Sequence, residues 1–214
     1  EIVSDAIRAL SIQFASLDAA ASLDAAVAAH GSPPYGWLLY AALGDMLVEK
    51  ERYTDAADTY RAFVKRDPAH RRAPSLQGQA IDAYLKGGFA DLALQGKRVF
   101  VSQYRFGAPF WEGRQRADAA EVVAELKSHL QDVARYQHAL AQSSGQRADY
   151  AQAARWYREY LVSFPDEPDS AATNYLLADA LFEAGDYLEA TIEYERTAYN
   201  YAPDERAAQA GYAA

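Results

Sequence analysis

Cysteine is absent from all 214 residues. This excludes disulfides and thiolate metal sites, and it leaves cysteine chemistry silent on the compartment, an oxidising envelope compartment included. No run approaches 18 apolar residues, so the sequence offers no candidate membrane-spanning helix. Phosphate-cradling patterns are missing as well. Neither G-x-G-x-x-G nor a P-loop occurs, and Gly87-Gly88 reads as a turn where positive φ is useful. Positive charge is in deficit, with 21 Lys plus Arg against 30 Asp plus Glu and a formal net charge of −9, which argues against a nucleic-acid or anionic-membrane footprint.

Histidine is scarce, and what there is does not assemble. His129 and His138 lie nine apart on one predicted helix, which turns them about 180° from each other at ~100° per residue, so they cannot chelate one metal. Ser128, His129 and Asp132 supply the residue types of a hydrolase triad. Contiguous residues on a helix rarely present the triad geometry, however, and no nucleophile elbow is visible. They read as a solvated helix face. No catalytic residue, metal site or cofactor is expected.

What is present is a recurrence. Tyr150, Ala153, Tyr157, Tyr160 and Phe164 are followed 37 positions later by Tyr187, Ala190, Tyr194, Thr197 and Tyr201. A constant offset over five positions marks stacked supersecondary units. Helix A of the last unit is predicted over about 171–183, where Leu176, Leu177, Leu181 and Phe182 recur at helical spacing, and Ala184-Gly185-Asp186 breaks it. Asp186 with Glu189 and Asp149 with Gln152 have the spacing of capping boxes opening helix B.

The same frame reaches upstream. Trp37 to Glu49 supplies a helix A containing Leu43-Gly44, and Tyr53, Ala56, Tyr60 and Phe63 supply a helix B closing at Asp67-Pro68. Glycine there lets helix A approach its partner closely, and Ala56 does the same from the other side. Taking Phe89 as the next marker places Leu92 where alanine is expected, and Gly96 then interrupts the helix at about 1 kcal/mol relative to alanine. Tyr104 to Arg114, with Phe110-Trp111 among Gly107, Pro109 and Gly113, reads as an aromatic connection. A long helical pattern resumes from Ala117 to Gln142. Ser16-Leu17-Asp18-Ala19-Ala20 and Ser22-Leu23-Asp24-Ala25-Ala26 duplicate one another as alanine-rich helix, ended by Pro33-Pro34.

Leu43, Gly44, Tyr53, Ala56, Tyr60 and Pro68, then Tyr150, Ala153, Tyr157 and Pro165, then Tyr187, Ala190 and Tyr194 with a displaced Pro203, resemble the tetratricopeptide repeat family. The resemblance covers roughly 34–214. It implies an all-α fold, a right-handed superhelical solenoid of antiparallel helix pairs. The expected organisation is a degenerate repeat over 1–34, then a solenoid over 35–214. That solenoid divides into repeats at 37–72, 73–104, 117–167 and 171–204, a connection at 104–114 and a truncated repeat at 205–214. The junction from Phe164 to Ala171 looks like those of tetratricopeptide proteins in Gram-negative envelopes, of the outer-membrane assembly lipoprotein and periplasmic cell-division coordinator type. The start at Glu1 without Met, and the mapping of Tyr175 onto Tyr212 near the last residue, are expected of a segment taken from a longer envelope chain.

In the family, helix A lines a concave surface. The resemblance carries that role to Asp45 and Glu49, to Gln77, Ile81 and Tyr84, to Arg135, His138 and Gln142, and to Tyr175, Asp179, Phe182 and Glu183. A mixed polar and aromatic lining suits an extended peptide. Ala41 and Asp45 stand where chaperone-binding members carry Lys and Asn, so the C-terminal carboxylate clamp is not expected. Lys65, Arg66, Arg71 and Arg72, with His70, form the one dense basic cluster. It can accept an acidic partner segment or a phosphate, or simply answer a helix dipole. Of the 16 tyrosines, those at repeat positions read as core. The expected function is therefore a non-catalytic scaffold binding a peptide or protein partner. The alternatives are a spacer, or a module self-associating through its end repeats, with no ligand of its own. An enzyme or glycan binder using Phe110-Trp111 as a pocket wall is a third reading.

Overall fold

The computed structural model describes residues 2–31, 33–201 and 207–213. Among them are eleven α-helices and no strand: α1 (Ile2–Ala15), α2 (Ala19–Ala29), α3 (Gly36–Glu49), α4 (Tyr53–Arg66), α5 (Ala73–Lys86), α6 (Ala90–Tyr104), α7 (Ala120–Ser144), α8 (Arg147–Ser163), α9 (Ser170–Ala184), α10 (Tyr187–Tyr199) and α11 (Ala207–Ala213). Two compact units divide the chain, residues 1–123 and 124–214. Pro203 of the expected closing motif lies outside the described residues.

Unit 1 is built from three helix pairs, α1/α2, α3/α4 and α5/α6. Each first helix packs on the next first helix or on the intervening second one, in chain order. Helix α1 packs chiefly on α3 and α2 on α4, and the two also touch each other. Alanine fills most of α2, so its buried side is carried by Ala19, Leu23 and Val27 alone. Tyr40 of α3 bridges to that pair by donating its hydroxyl to Asp24 at 2.5 Å.

The closest approach in unit 1 is at Leu43-Gly44. A Cβ on Gly44 would lie 2.2 Å from the Tyr60 ring, so only glycine admits that ring at this depth. Leu43, Ala56 and Tyr60 are buried around it.

In α5/α6 the frame differs from the expected one. Phe89 occupies the N-cap position, so Ala93 and not Leu92 is the small buried residue, while Leu92 is exposed. Ala93 stands 37 residues after Ala56, which restores the interval found in the carboxy-terminal half. Gly96 does not interrupt α6. A Cβ there would come within 2.8 Å of Ile81 Cγ1, and its carbonyl accepts from Gln77 Nε2 at 3.2 Å.

The aromatic connection folds onto unit 1. Trp111 Nε1 donates to the Tyr104 carbonyl at 2.7 Å, and Arg114 donates to the Ala69 carbonyl at 2.9 Å while its guanidinium covers the Phe110 ring. Phe110 is buried. These rings are thus engaged in closing the α6 end of the unit. Gln115 and Asp118 cap the turn before α7 reciprocally.

In unit 2, α8 packs on α9, α9 on α10 and α10 on α11, while α7 meets α8 through side chains such as His138 against Tyr157. Its core joins Ala153, Tyr157, Leu177, Ala178, Leu181, Ala190 and Tyr194. The two expected capping boxes do not form. Asp186 is an N-cap without a side-chain bond. Helix α8 starts two residues before Asp149, at Arg147, because Gln146 is its N-cap; Asp149 instead accepts from Ser144 Oγ at 2.5 Å. Gly185 adopts φ +88 and closes α9 in the left-handed region that favours glycine.

Candidate partner-binding site

In unit 1 a cleft of about 360 Å³ is lined solely by first helices of the pairs, namely Ile7 of α1, Trp37, Leu38, Ala41, Ala42 and Asp45 of α3, and Ser75, Leu76 and Gln79 of α5, with Arg72 at its edge. Asp45 Oδ1 accepts from Tyr60 Oη at 2.6 Å and from Gln79 Nε2 at 3.4 Å. Burial, reinforced by that bond to Asp45, pushes the Tyr60 hydroxyl far above the ordinary phenol range, so it stays a donor. The Arg72 guanidinium lies over the Trp37 ring, 4.9 Å from its centroid. Glu49 borders a second cleft of about 580 Å³ between α1 and α3, shared with Arg8, Ser11 and Lys50.

In unit 2 a cleft of about 260 Å³ runs between α7 and α9, lined by Gln131, Ala134, Arg135, Ala172, Thr173 and Leu176, with Tyr157, Tyr160 and Asp169 closing it. Asp169 accepts from Tyr160 Oη at 2.7 Å and from Gln131. Lys127 bonds Glu167 at 2.6 Å. Burial pushes the Tyr157 hydroxyl up to about 12. His138 Nδ1 lies 2.9 Å from Tyr157 Oη, and its burial lowers its own basicity, against the opposing pull of Asp179.

The expected site residues are therefore scattered. Asp45, Glu49 and Arg135 face clefts. Gln77, Ile81 and Tyr84 do not: they are 1%, 1% and 4% exposed. Gln77 bonds Gly96, and the Tyr84 hydroxyl accepts from Arg61 at 3.0 Å. The 37-residue interval explains the correction, because it carries Asp45 to Asp82, one residue beyond Ile81, and one residue of helix is a turn of about 100°. His138 is likewise buried. Tyr175 is half-buried against the Tyr194 ring, at 5.6 Å between centroids, and Asp179 accepts from Tyr194 Oη at 2.6 Å. Phe182 is half exposed and meets Tyr187 edge-on; Glu183 and Gln142 are exposed.

The basic cluster divides. Arg66 reaches Asp24 of α2 at 3.5 Å, Arg72 turns to the cleft, and Lys65 and Arg71 remain exposed. The sequence reading missed Trp37, Gln79, Gln131 and Asp169 as lining residues. Trp37 carried a signal, being a large aromatic at the first turn of a helix A, outside the positions where the repeat demands one.

No described group of three or more His, Asp or Glu is placed to hold a metal ion, and no described helix is long and apolar enough to cross a membrane. Antiparallel helix pairs at a 37-residue interval, with clefts between their first helices, define a helical repeat protein. The tetratricopeptide repeat family model matches residues 16–71, 41–95 and 138–211, more than half of the chain. The chain belongs to the tetratricopeptide repeat family. Repeats of this family generally mediate protein–protein interaction and scaffolding, and the family is generally non-catalytic. No curated protein matches the sequence.

Proposed function

We propose that this chain is a non-catalytic scaffold that binds a peptide or protein partner along the first-helix face of unit 1. The observation that carries this reading is the cleft lined only by α1, α3 and α5, which offers apolar wall, carboxylate, amide and guanidinium together. The face of Arg135 in unit 2 has the same composition on a smaller scale. A photo-crosslinking residue at Ser75, inside the cleft, is expected to capture the partner in the native cell. The same residue at Thr54, exposed on α4, is not. Capture from Thr54 and not from Ser75 would overturn the assignment. An envelope location is part of the proposal and is supported by the resemblance of the Phe164 to Ala171 junction; cell fractionation tests it.

Self-association is a second reading, favoured by one feature. Leu188, Ile192 and Tyr199 of α10 are 74%, 41% and 76% exposed. Counted from the buried alanine of each second helix (Ala190, Ala153, Ala93 and Ala56), the matching positions are Ala151, Arg155 and Val162 in α8, Asp91, Gln95 and Ser102 in α6, and Thr54, Asp58 and Lys65 in α4. Three exposed apolar side chains on α10, where α4 and α6 are polar, suit contact with another protein surface.

A further inference from the structure

Arg72 sits at the mouth of the unit 1 cleft with one planar face on Trp37. None of the described carboxylates lies within ion-pair distance of it, in contrast to Arg52, Arg61, Arg66, Arg158 and Arg196. Stacking fixes the plane of a guanidinium and leaves its edge N–H donors directed outward, the fork that matches a carboxylate. Arginines outnumber carboxylates beside it. Arg71 is the adjacent residue, and at His70, whose protonation is disfavoured first by burial, Asp67 favours the proton while Arg71, Arg114 and Arg72 oppose it. On α5, Ser75 and Gln79 follow Arg72 at three- and seven-residue spacing and line the same cleft, adding donors along one helix face.

Asp45 stands across the cleft with Oδ1 engaged by Tyr60 and, at 3.4 Å, by one N–H of the Gln79 amide, whose second N–H is not part of that bond. Its charge disfavours a dianionic phosphate in so small a space, whereas it can accept a backbone or side-chain N–H. We propose that the Arg72 edge of this cleft binds an acidic side chain, Asp or Glu, of a partner peptide, with Ser75 and Gln79 on the neighbouring polar atoms and Asp45 accepting an N–H further along. The inference rests on the first-helix face being the binding surface, and it adds the chemistry of the partner.

The test is selection of random dodecamer peptides on the full chain, in parallel on Arg72→Gln and on Arg71→Gln. Wild-type chain and R71Q should both enrich Asp and Glu at one fixed peptide position. R72Q should lose that enrichment and bind a fluorescent copy of the selected peptide roughly tenfold or more weakly, as removal of a charge-assisted hydrogen bond implies. Arg72 is exposed, so an unchanged melting temperature in R72Q is the accompanying expectation. A wild-type pool without acidic enrichment, or enrichment that survives R72Q, overturns the assignment to Arg72. Selected peptides that crosslink from Thr54 and not from Ser75 overturn the first-helix face itself, whatever their charge.

Discussion

The hydroxyl of Tyr60, on the second helix of its pair, donates to the Asp45 carboxylate on the first at 2.6 Å. Tyr194 and Asp179 repeat the arrangement at the same distance and the same 15-residue separation. Both phenols are buried; Asp45 faces the unit 1 cleft and Asp179 is half-buried on α9, so each bond ties a partly exposed acid to the core. Tyr60→Phe should destabilise the chain by about 1 to 2 kcal/mol, the cost of leaving such a bond unmade. Urea denaturation checks this. A variant as stable as the parent would show that water serves Asp45 equally well.

Packing at Gly44 leaves no room for a methyl group. Gly44→Ala should cost about 1 to 3 kcal/mol, since the Cβ would meet the Tyr60 ring at 2.2 Å. Gain of stability, as helix propensity alone would give, would show that the ring moves aside at no cost.

Ala153 and Ala190 are buried in the unit 2 core. Ala153→Leu or Ala190→Leu should likewise lose about 1 to 3 kcal/mol by overpacking. An unaltered melting temperature in both would contradict the packing between α7, α8, α9 and α10.

Acid should weaken unit 2 through His138. Burial holds its folded-state pKa below the ordinary value near 6.5. The unfolded chain therefore takes up a proton that the folded chain refuses. Stability is flat above about pH 7, falls as the pH drops through ~6.5, and levels only below the folded-state pKa. His138→Gln, which keeps a hydrogen-bonding partner for Tyr157 without titrating, should flatten the slope of melting temperature against pH over that window. A slope identical to that of the parent would remove His138 as its source. His70, lowered chiefly by burial, adds a similar contribution in unit 1 that the variant leaves in place.

Self-association through α10 has a direct measurement. Sedimentation of the parent should show a concentration-dependent dimer that Leu188→Lys with Tyr199→Ser abolishes while the melting temperature holds, as both side chains are largely exposed. A dimer that persists in the variant places the contact elsewhere.

Much of the fold was legible because it is written in residues that only one packing tolerates. Gly44, Ala56 and Tyr60, with Ala153, Ala190 and Tyr194, could be read as close helix contacts, since small and aromatic residues at fixed spacing have few other uses. Pairing of α1 with α2 was less legible. An alanine-rich helix carries no aromatic to mark its register, and Leu23 and Val27 alone set its buried face. Along α5 and α6 the reading slipped by one residue, because Phe89 resembles the aromatic that opens α4 but serves as an N-cap. That slip turned Gln77 and Tyr84 from core to surface on paper. Of the cleft linings only Asp45, Glu49 and Arg135 were legible, since the rest depend on which residues of α1, α3 and α5, or of α7 and α9, meet across separate helices.

Gly96 has a consequence for how unit 1 opens. A glycine at mid-helix makes α6 a poor helix on its own, and what holds it is the neighbouring α5, through Ile81 filling the space beside it and Gln77 bonding its carbonyl. In a linear array, stability divides between each repeat and its interfaces. Here the interface share is large. Helix α6 cannot persist after α5 has loosened, so hydrogen exchange in the two should report a single opening event, and the third pair of unit 1 behaves as one cooperative element.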